Sequence, residues 1–424
     1  MYGIRPRNVY VHESVPGSAE AVARMERMMG AIRPDEEPIV VDDPALDEIS
    51  REKRWDRVTR WRTGQYKRTR DPDIIFSTYA WRDAQAQATF DERFPHLRFA
   101  RLNGAGFVGY RNGEALLEAR GGICQNAYDL HSAWGCLHAC DYCNIGEFLI
   151  IHLNLEEMVA RLDDVLAEHS WCRLWKYDNQ TDQITFEPEY GASELMVEYF
   201  AGRRDEYLLL YTKSDNVEHL LDLDHRGHTI ISWTLSCETV AREIEKGSPS
   251  TAERIEAMRR CQEAGYHVRC RFSPIIPIRG WREENAAMIE RLLPAVRPDV
   301  ITMDLLAHLP GERLAQCIDV ELLDRRWLAA HGAIYEGEHP GKPYSPHGKQ
   351  IFPHELRAEL YRFMVARIRE RDAEVPISFC DETPAVWAAF SREELGHGPE
   401  RYVCTCGPDS VPGNPLLRTC GGGC

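Results

Sequence analysis

No apolar run in the 424 residues reaches the roughly 20 residues that a membrane-spanning helix needs, and the opening MYGIRPRNVY has no signal-peptide core. These absences predict a cytoplasmic protein with no membrane partner. Basic charge is also short: 51 Lys and Arg stand against 67 Asp and Glu, a formal net charge of -16. A chain this acidic starts poorly placed to grip a phosphate backbone. Internal repeats are missing, which excludes solenoids and propellers. No two C-x2-C pairs mark an ordinary zinc site.

Cysteine is not scarce. Fourteen of them, in a long chain without an export signal, are expected to stay reduced or to bind metal rather than to build a disulfide framework. Three stand together in HSAWGCLHACDYCNIGE: Cys136, Cys140 and Cys143, in a C-x3-C-x2-C spacing after a short apolar approach. Three thiolates on one tight loop can hold three corners of a cubane 4Fe-4S cluster and leave the fourth iron without a protein ligand. That open iron can chelate the amino and carboxylate groups of S-adenosylmethionine, so that one electron releases a 5'-deoxyadenosyl radical. The competing reading is a zinc site short of a ligand, but His138, inside the loop, has no matching partner.

From Gly122 onward, short apolar runs alternate with amphipathic ones, the pattern of a parallel sheet with crossover helices. The strand-like runs are CQNAYDLH, CRLWKY, YLLLYT, TIISWTL, HVRCRFSPI and VITMDLL. Helices are predicted from Leu155 to His169 with Asn154 as cap, around Ser193 to Phe200, over VEHLLDL, from about Ser250 to Ala264, and over 282–295. Six strand-helix steps predict an α/β fold, a partial (β/α)6 TIM-type barrel with ligands at the carboxyl ends of its strands. Ahead of it, NVYVHE, a helix from Ser18 to about Ile32, and PIVV are read as strand, helix and strand. Residues 71–120 are expected to cover the barrel rather than form it. Beyond Leu306 come a helix at Trp327, the loop GEHPGKPYSPHGKQIFP, a helix from His354 to about Arg371 and a strand VPISFC.

The division that follows is an N-terminal region over 1–120, a core over 121–306, a substrate-proximal region over 307–390 and a Cys/Gly-rich tail over 391–424. Within the first, residues 51–70 form a basic segment with Trp55, Trp61 and Tyr66 interleaved. Such a segment can contact phosphates and stack on bases, or simply form a solvated helix face. In the tail, Cys404, Cys406, Cys420 and Cys424 form a candidate auxiliary site for a second Fe-S cluster or zinc. A free thiol tail and a tail without order are the alternatives.

The cluster loop, with Tyr142 before its last cysteine, resembles the radical S-adenosylmethionine (radical SAM) enzymes. The stretches VYVHE, LYTKSDNVEHLLDLDHRGHT, GSPSTAERIEAMRRCQEAGYHVRCRFSPI and LLAH, spread over roughly residues 8–390, resemble the spore photoproduct lyase family within them, whose members cleave a thymine dimer in DNA. The resemblance implies the partial barrel of the radical SAM type, with N- and C-terminal extensions. It also implies cofactor contacts: Lys213 to the methionine carboxylate, Thr181 and Thr234 as small hydroxyl contacts, Ser273 beside the adenine and Tyr142 packed near it.

Two departures bear on function. Where the lyases carry a cysteine that returns hydrogen to the product radical, this chain has Asn179, and where they carry a relay tyrosine it has Asn144. An amide N–H or a C–H is too strong a bond to serve as that donor. The leading expectation is therefore a radical SAM enzyme acting on a non-photoproduct substrate, a small metabolite, nucleoside or peptide, with an electron donor such as flavodoxin or ferredoxin. Dimer repair in DNA with a different hydrogen donor is the alternative. A non-enzymatic iron-sulfur or zinc-binding protein is the third class, and it predicts no cleavage of S-adenosylmethionine.

Overall fold

The structure, a computed structural model, describes residues 1–34, 36–56, 72–143, 145, 148–335 and 350–418. Its strands in chain order are β1 (Val9–His12), β2 (Ile39–Val41), β3 (Asp73–Ser77), β4 (Val108–Arg111), β5 (Ala127–Leu130), β6 (Ala133–Trp134), β7 (Phe148–His152), β8 (Leu174–Tyr177), β9 (Tyr207–Thr212), β10 (Thr229–Leu235), β11 (His267–Ile275), β12 (Ile301–Leu305) and β13 (Ile377–Phe379).

They make two sheets. The larger has the order β13-β12-β11-β10-β9-β8-β5-β4. Its neighbours from β5 to β13 are all parallel, and only β4 runs antiparallel, against β5. The six expected core strands are β5 and β8 to β12, and VPISFC adds β13 as a further parallel strand. Leu208, Leu209, Leu210, Ile230, Ile231 and Trp233 are buried, as strands covered on both faces must be. Among the described residues the sheet stays open, with β13 at one end and β4 at the other.

The crossover helices follow the sequence in most places. Ala192–Ala201, Thr251–Glu263 and Trp281–Ala295 fall where expected, the second opened by a capping box in which Ser250 and Glu253 satisfy each other's backbone donors. Two expectations fail. The helix from Leu155 to His169 is broken into Leu155–Val159 and Leu162–Glu168. Asn154 does not cap it, because its side chain accepts from Tyr79 N at 2.7 Å and donates to Tyr79 O at 3.2 Å. VEHLLDL forms only the single 3-10 turn Glu218–Leu220, too few residues to repay helix nucleation.

The smaller sheet has the order β2-β1-β3-β7-β6. Its central strand, β3, comes from a region expected only to cover the barrel, and β4 from the same region joins the larger sheet. DIIFS is buried at every position, so it shows no alternation by which to recognise it. This sheet takes strands from both sides of residue 120. It also positions the cysteine loop, which leaves β6 and returns along β7.

Of the basic segment, residues 57–70 lie outside the described residues, Trp61 and Tyr66 among them. Trp55 is buried and stacks on Phe148 with ring centroids 4.6 Å apart. It belongs to the core of the smaller sheet, and the expectation that it interleaves a nucleic-acid surface is corrected. Among the described residues no helix is long and apolar enough to cross a membrane.

Candidate active site

The loop thiols and the strand ends of the larger sheet face one cavity of about 650 Å3. Cys136, Cys140 and Cys143 line it from the loop, and Tyr142 from between them. Thr181 lines it beyond β8, Lys213 just after β9, Thr234 on β10 and Ser273 on β11. All five residues expected to contact a cofactor thus share a cavity with the three expected cluster ligands. Asn179 lines it as well, whereas Asn144 lies outside the described residues. Cys172, at the start of β8, is buried with its thiol donating to Leu174 O at 3.3 Å, away from these strand ends.

Two buried carboxylates that sequence reading did not single out hold the loop in place. Asp182 accepts from His138 at 2.7 Å, from Thr212 Oγ1 at 2.9 Å and from Lys213 N at 2.7 Å. His138 is therefore a tether between the loop and the strand ends, and its second ring nitrogen meets Gly247 O at 3.2 Å. Glu245 lies 3.1 Å from Lys213 Nζ and 2.7 Å from Arg254 Nη1, and it accepts from Tyr142 Oη at 2.5 Å and Ser236 Oγ at 3.0 Å. Burial works to raise its pKa, but the charges of Lys213 and Arg254 prevail and hold it down at about 2. Glu245 stays ionised, and through it Lys213 and Tyr142 are fixed relative to each other.

The backbone on either side of Glu245 clamps the loop. Asp141 N donates to Ile244 O at 2.9 Å and Gly247 N to His138 O at 2.9 Å. A Cβ on Gly247 would come within 2.3 Å of His138 O, so only glycine permits this approach. Lys246 Nζ adds an ion pair to Asp141 at 2.9 Å.

The same cavity reaches Arg111, Lys176 and Arg271. Lys176 pairs with Asp129, and burial, aided by the Arg111 charge and opposed by Cys406, brings its pKa down to about 7. Of the tail cysteines, Cys404 and Cys406 are buried, and Cys420 and Cys424 lie outside the described residues.

A family model described as "Spore photoproduct lyase" matches residues 121–371. The chain belongs to the spore photoproduct lyase family. Among curated relatives, the spore photoproduct lyase of Bacillus subtilis (strain 168) is 27% identical over 192 residues, 43% of this chain and 56% of that protein. The lyase of Clostridium acetobutylicum is 20% identical over 188 residues, with the same coverage. The chain thus spans about half the length of the curated relatives it matches. Among solved structures, a spore photoproduct lyase complexed with dinucleoside spore photoproduct superposes with a TM-score of 0.58 at 15% identity, covering 89% of this chain and 98% of that one. A mutant lyase with bound AdoMet and dinucleoside spore photoproduct gives 0.57 at 15% identity, covering 90% and 99%. At such identity these structures establish the shared fold.

The spore photoproduct lyase family implies a 4Fe-4S cluster and S-adenosylmethionine, and the residues present fit both. Three thiols from one loop reach the cavity, and His138, which lines it among them, has its ring nitrogens engaged by Asp182 and Gly247 O, so the thiols are the donor set for a cluster with one open iron. Thr181 Oγ1 is buried, lines the cavity and has no hydrogen-bond partner among the described residues. A buried hydroxyl left unpaired is costly, and a polar ligand in the cavity relieves that cost. Lys213, paired with Glu245 at 3.1 Å, also lines the cavity and presents there the cation that a carboxylate requires.

Proposed function

We propose that this chain is a radical SAM enzyme whose substrate is a small metabolite, nucleoside or peptide and not a DNA photoproduct. The observation that carries the reading is Asn179. It lines the cavity together with the loop thiols and Lys213, where a hydrogen-returning lyase needs a cysteine. Among the described lining residues the only thiols are Cys136, Cys140 and Cys143, and all three are committed to the cluster. Other thiols stand behind the lining, Cys406 against Arg111 and Cys380 against Arg271, so a product radical meets no thiol in the position of the lyase donor, which favours rearrangement, coupling or oxidation. The cavity volume of about 650 Å3 is in the range of small-molecule sites, and cofactor and substrate share it.

When bound and reduced by a donor such as flavodoxin or ferredoxin, the cluster and S-adenosylmethionine supply a 5'-deoxyadenosyl radical that abstracts hydrogen from substrate. The protein's part is positioning. Lys213, oriented by Glu245, binds the methionine carboxylate; Thr181, Thr234 and Ser273 offer hydroxyls along the strand ends; and Tyr142, fixed by its hydrogen bond to Glu245, packs beside the adenine. Asp182 keeps the loop seated on β9 through His138 and Thr212.

The test is anaerobic reconstitution and reduction, followed by assay of 5'-deoxyadenosine with and without dinucleoside spore photoproduct. The expected result is cleavage of S-adenosylmethionine with no return of the dinucleoside to its thymines. Repair of the dinucleoside would overturn the substrate assignment. Absence of any 5'-deoxyadenosine from a protein with a full cluster would overturn the enzyme assignment.

A further inference from the structure

Four cysteines from three distant segments meet at one small cavity. Cys124 lies just ahead of β5, Cys380 follows β13, and Cys404 and Cys406 come from the tail; all four line a space of about 10 Å3 together with Arg271 and Thr302. We propose that Cys124, Cys380, Cys404 and Cys406 form a tetrathiolate site for a single thiophilic divalent ion of the zinc type. The site is distinct from the cluster loop and does not use Cys420 or Cys424.

The tail segment that carries two of the ligands is locked in place. Arg269, paired with Asp299 at 2.8 Å, donates to Thr405 O at 2.9 Å and Ser410 O at 2.5 Å. Thr405 N donates to Thr302 Oγ1 on β12 at 2.9 Å, and Gln125 Nε2 to Tyr402 O at 2.7 Å. Gly407, after Cys406, leaves the Gln125 side chain its place against the tail, since a Cβ there would lie 1.8 Å from Gln125 Oε1 and displace it. The backbone of the site is therefore set before any ion arrives.

Two guanidinium groups stand against the sulfurs, one of them also 4.0 Å from Asp304. Arg111 Nη2 is 3.0 Å from Cys406 Sγ, and Arg271 Nη2 is 3.4 Å from Cys380 Sγ. Arg111 is half-buried and among the described residues forms no carboxylate ion pair; its other hydrogen bond, at 3.3 Å, is to Gln125 O. Four thiolates around a divalent ion make a net dianion, and two guanidinium groups donating to its sulfurs are the outer-shell partners such a site requires. The cavity has room for about one water-sized sphere, which suits one ion and not a cubane. Among the described residues no three His, Cys, Asp or Glu side chains stand placed to hold a metal ion, so binding asks the four thiol side chains to turn inward.

The position gives the ion a structural task. β5 and β13 are the first and last parallel strands of a sheet that stays open among the described residues, and Ile123 bridges Glu382 between their ends. An ion held by Cys124, Cys380 and the tail would staple that opening and anchor the tail beneath the active-site cavity, with which the site shares Arg271.

The test uses the full chain with Cys136, Cys140 and Cys143 changed to Ala, which removes the main cluster. Elemental analysis should find about one zinc per chain. Cobalt(II) put in its place should give the intense visible bands and sulfur-to-metal absorption of a tetrahedral tetrathiolate. Cys124→Ser with Cys380→Ser should lose the ion, and so should Cys404→Ser with Cys406→Ser, whereas Cys420→Ser with Cys424→Ser should keep it. The cobalt spectrum needs no further variant, so a misfolded mutant does not spare the proposal. No metal with all four thiols rapidly alkylated, loss of the ion on changing Cys420 and Cys424 alone, or an iron-sulfur spectrum in place of the single ion would each overturn it.

Discussion

Lys213 Nζ lies 3.1 Å from Glu245 Oε1, so the cation proposed to meet the cofactor carboxylate is already aimed by a buried anion. The two sit on different strand-helix units, and Glu245 also takes Tyr142 from the cluster loop. Loop, strand end and cofactor site are coupled through one carboxylate.

Lys213→Ala should therefore weaken S-adenosylmethionine binding by about 1.5–3 kcal/mol, the range for a hydrogen bond to a charged group. Equilibrium binding to the reconstituted protein measures it. Unchanged affinity would show that Lys213 does not reach the carboxylate.

Glu245→Gln removes the anion but leaves Arg254 and Lys213 in place, and stripping a buried ion pair of one partner costs about 3–5 kcal/mol. Urea unfolding should show that loss. The wild-type group adds a pH signature. Its folded pKa of about 2 lies below the roughly 4.5 of the unfolded chain, so its contribution, about 3 kcal/mol, is complete above that unfolded value. It drains away as the pH falls toward the folded one. The acid unfolding curve of Glu245→Gln should be flatter over this window, and identical curves would remove Glu245 from the account.

Asp182→Asn puts an N–H₂ group among three donors. The loop should loosen, lowering iron retained per chain and costing about 1.5–3 kcal/mol of stability. Unaltered iron content and unfolding would mean that the His138 tether does not hold the loop.

Replacing Cys136, Cys140 and Cys143 together by Ala should abolish both the oxygen-sensitive absorbance of the main cluster and all 5'-deoxyadenosine formation. Continued turnover would sink the cluster assignment.

With a net charge of -16 and Trp55 buried, duplex DNA should bind no more tightly than about 10 μM at physiological salt. A steep salt slope with tighter binding would restore the repair reading.

The cluster loop was legible because its three ligands stand within one turn-rich stretch, where spacing alone places the thiols together. The parallel sheet was legible because strands buried on both faces announce themselves as apolar runs between amphipathic helices. β3 escaped because a short buried strand carries no period, and VEHLLDL misled because so short an apolar pattern gives helix formation little to offset its nucleation cost. What the sequence by itself determined is that Cys136, Cys140 and Cys143 stand together on one short loop; the family resemblance pointed to Lys213, Thr181, Thr234, Ser273 and Asn179, and the structure brings all of them to the same cavity. Only the tertiary structure decided that Glu245 and Asp182 organise them, and that Cys404 and Cys406 meet Cys124 and Cys380. A carboxylate's role depends on the charges buried with it, and a thiol's on which distant sulfurs the fold brings within reach; neither is written in local spacing.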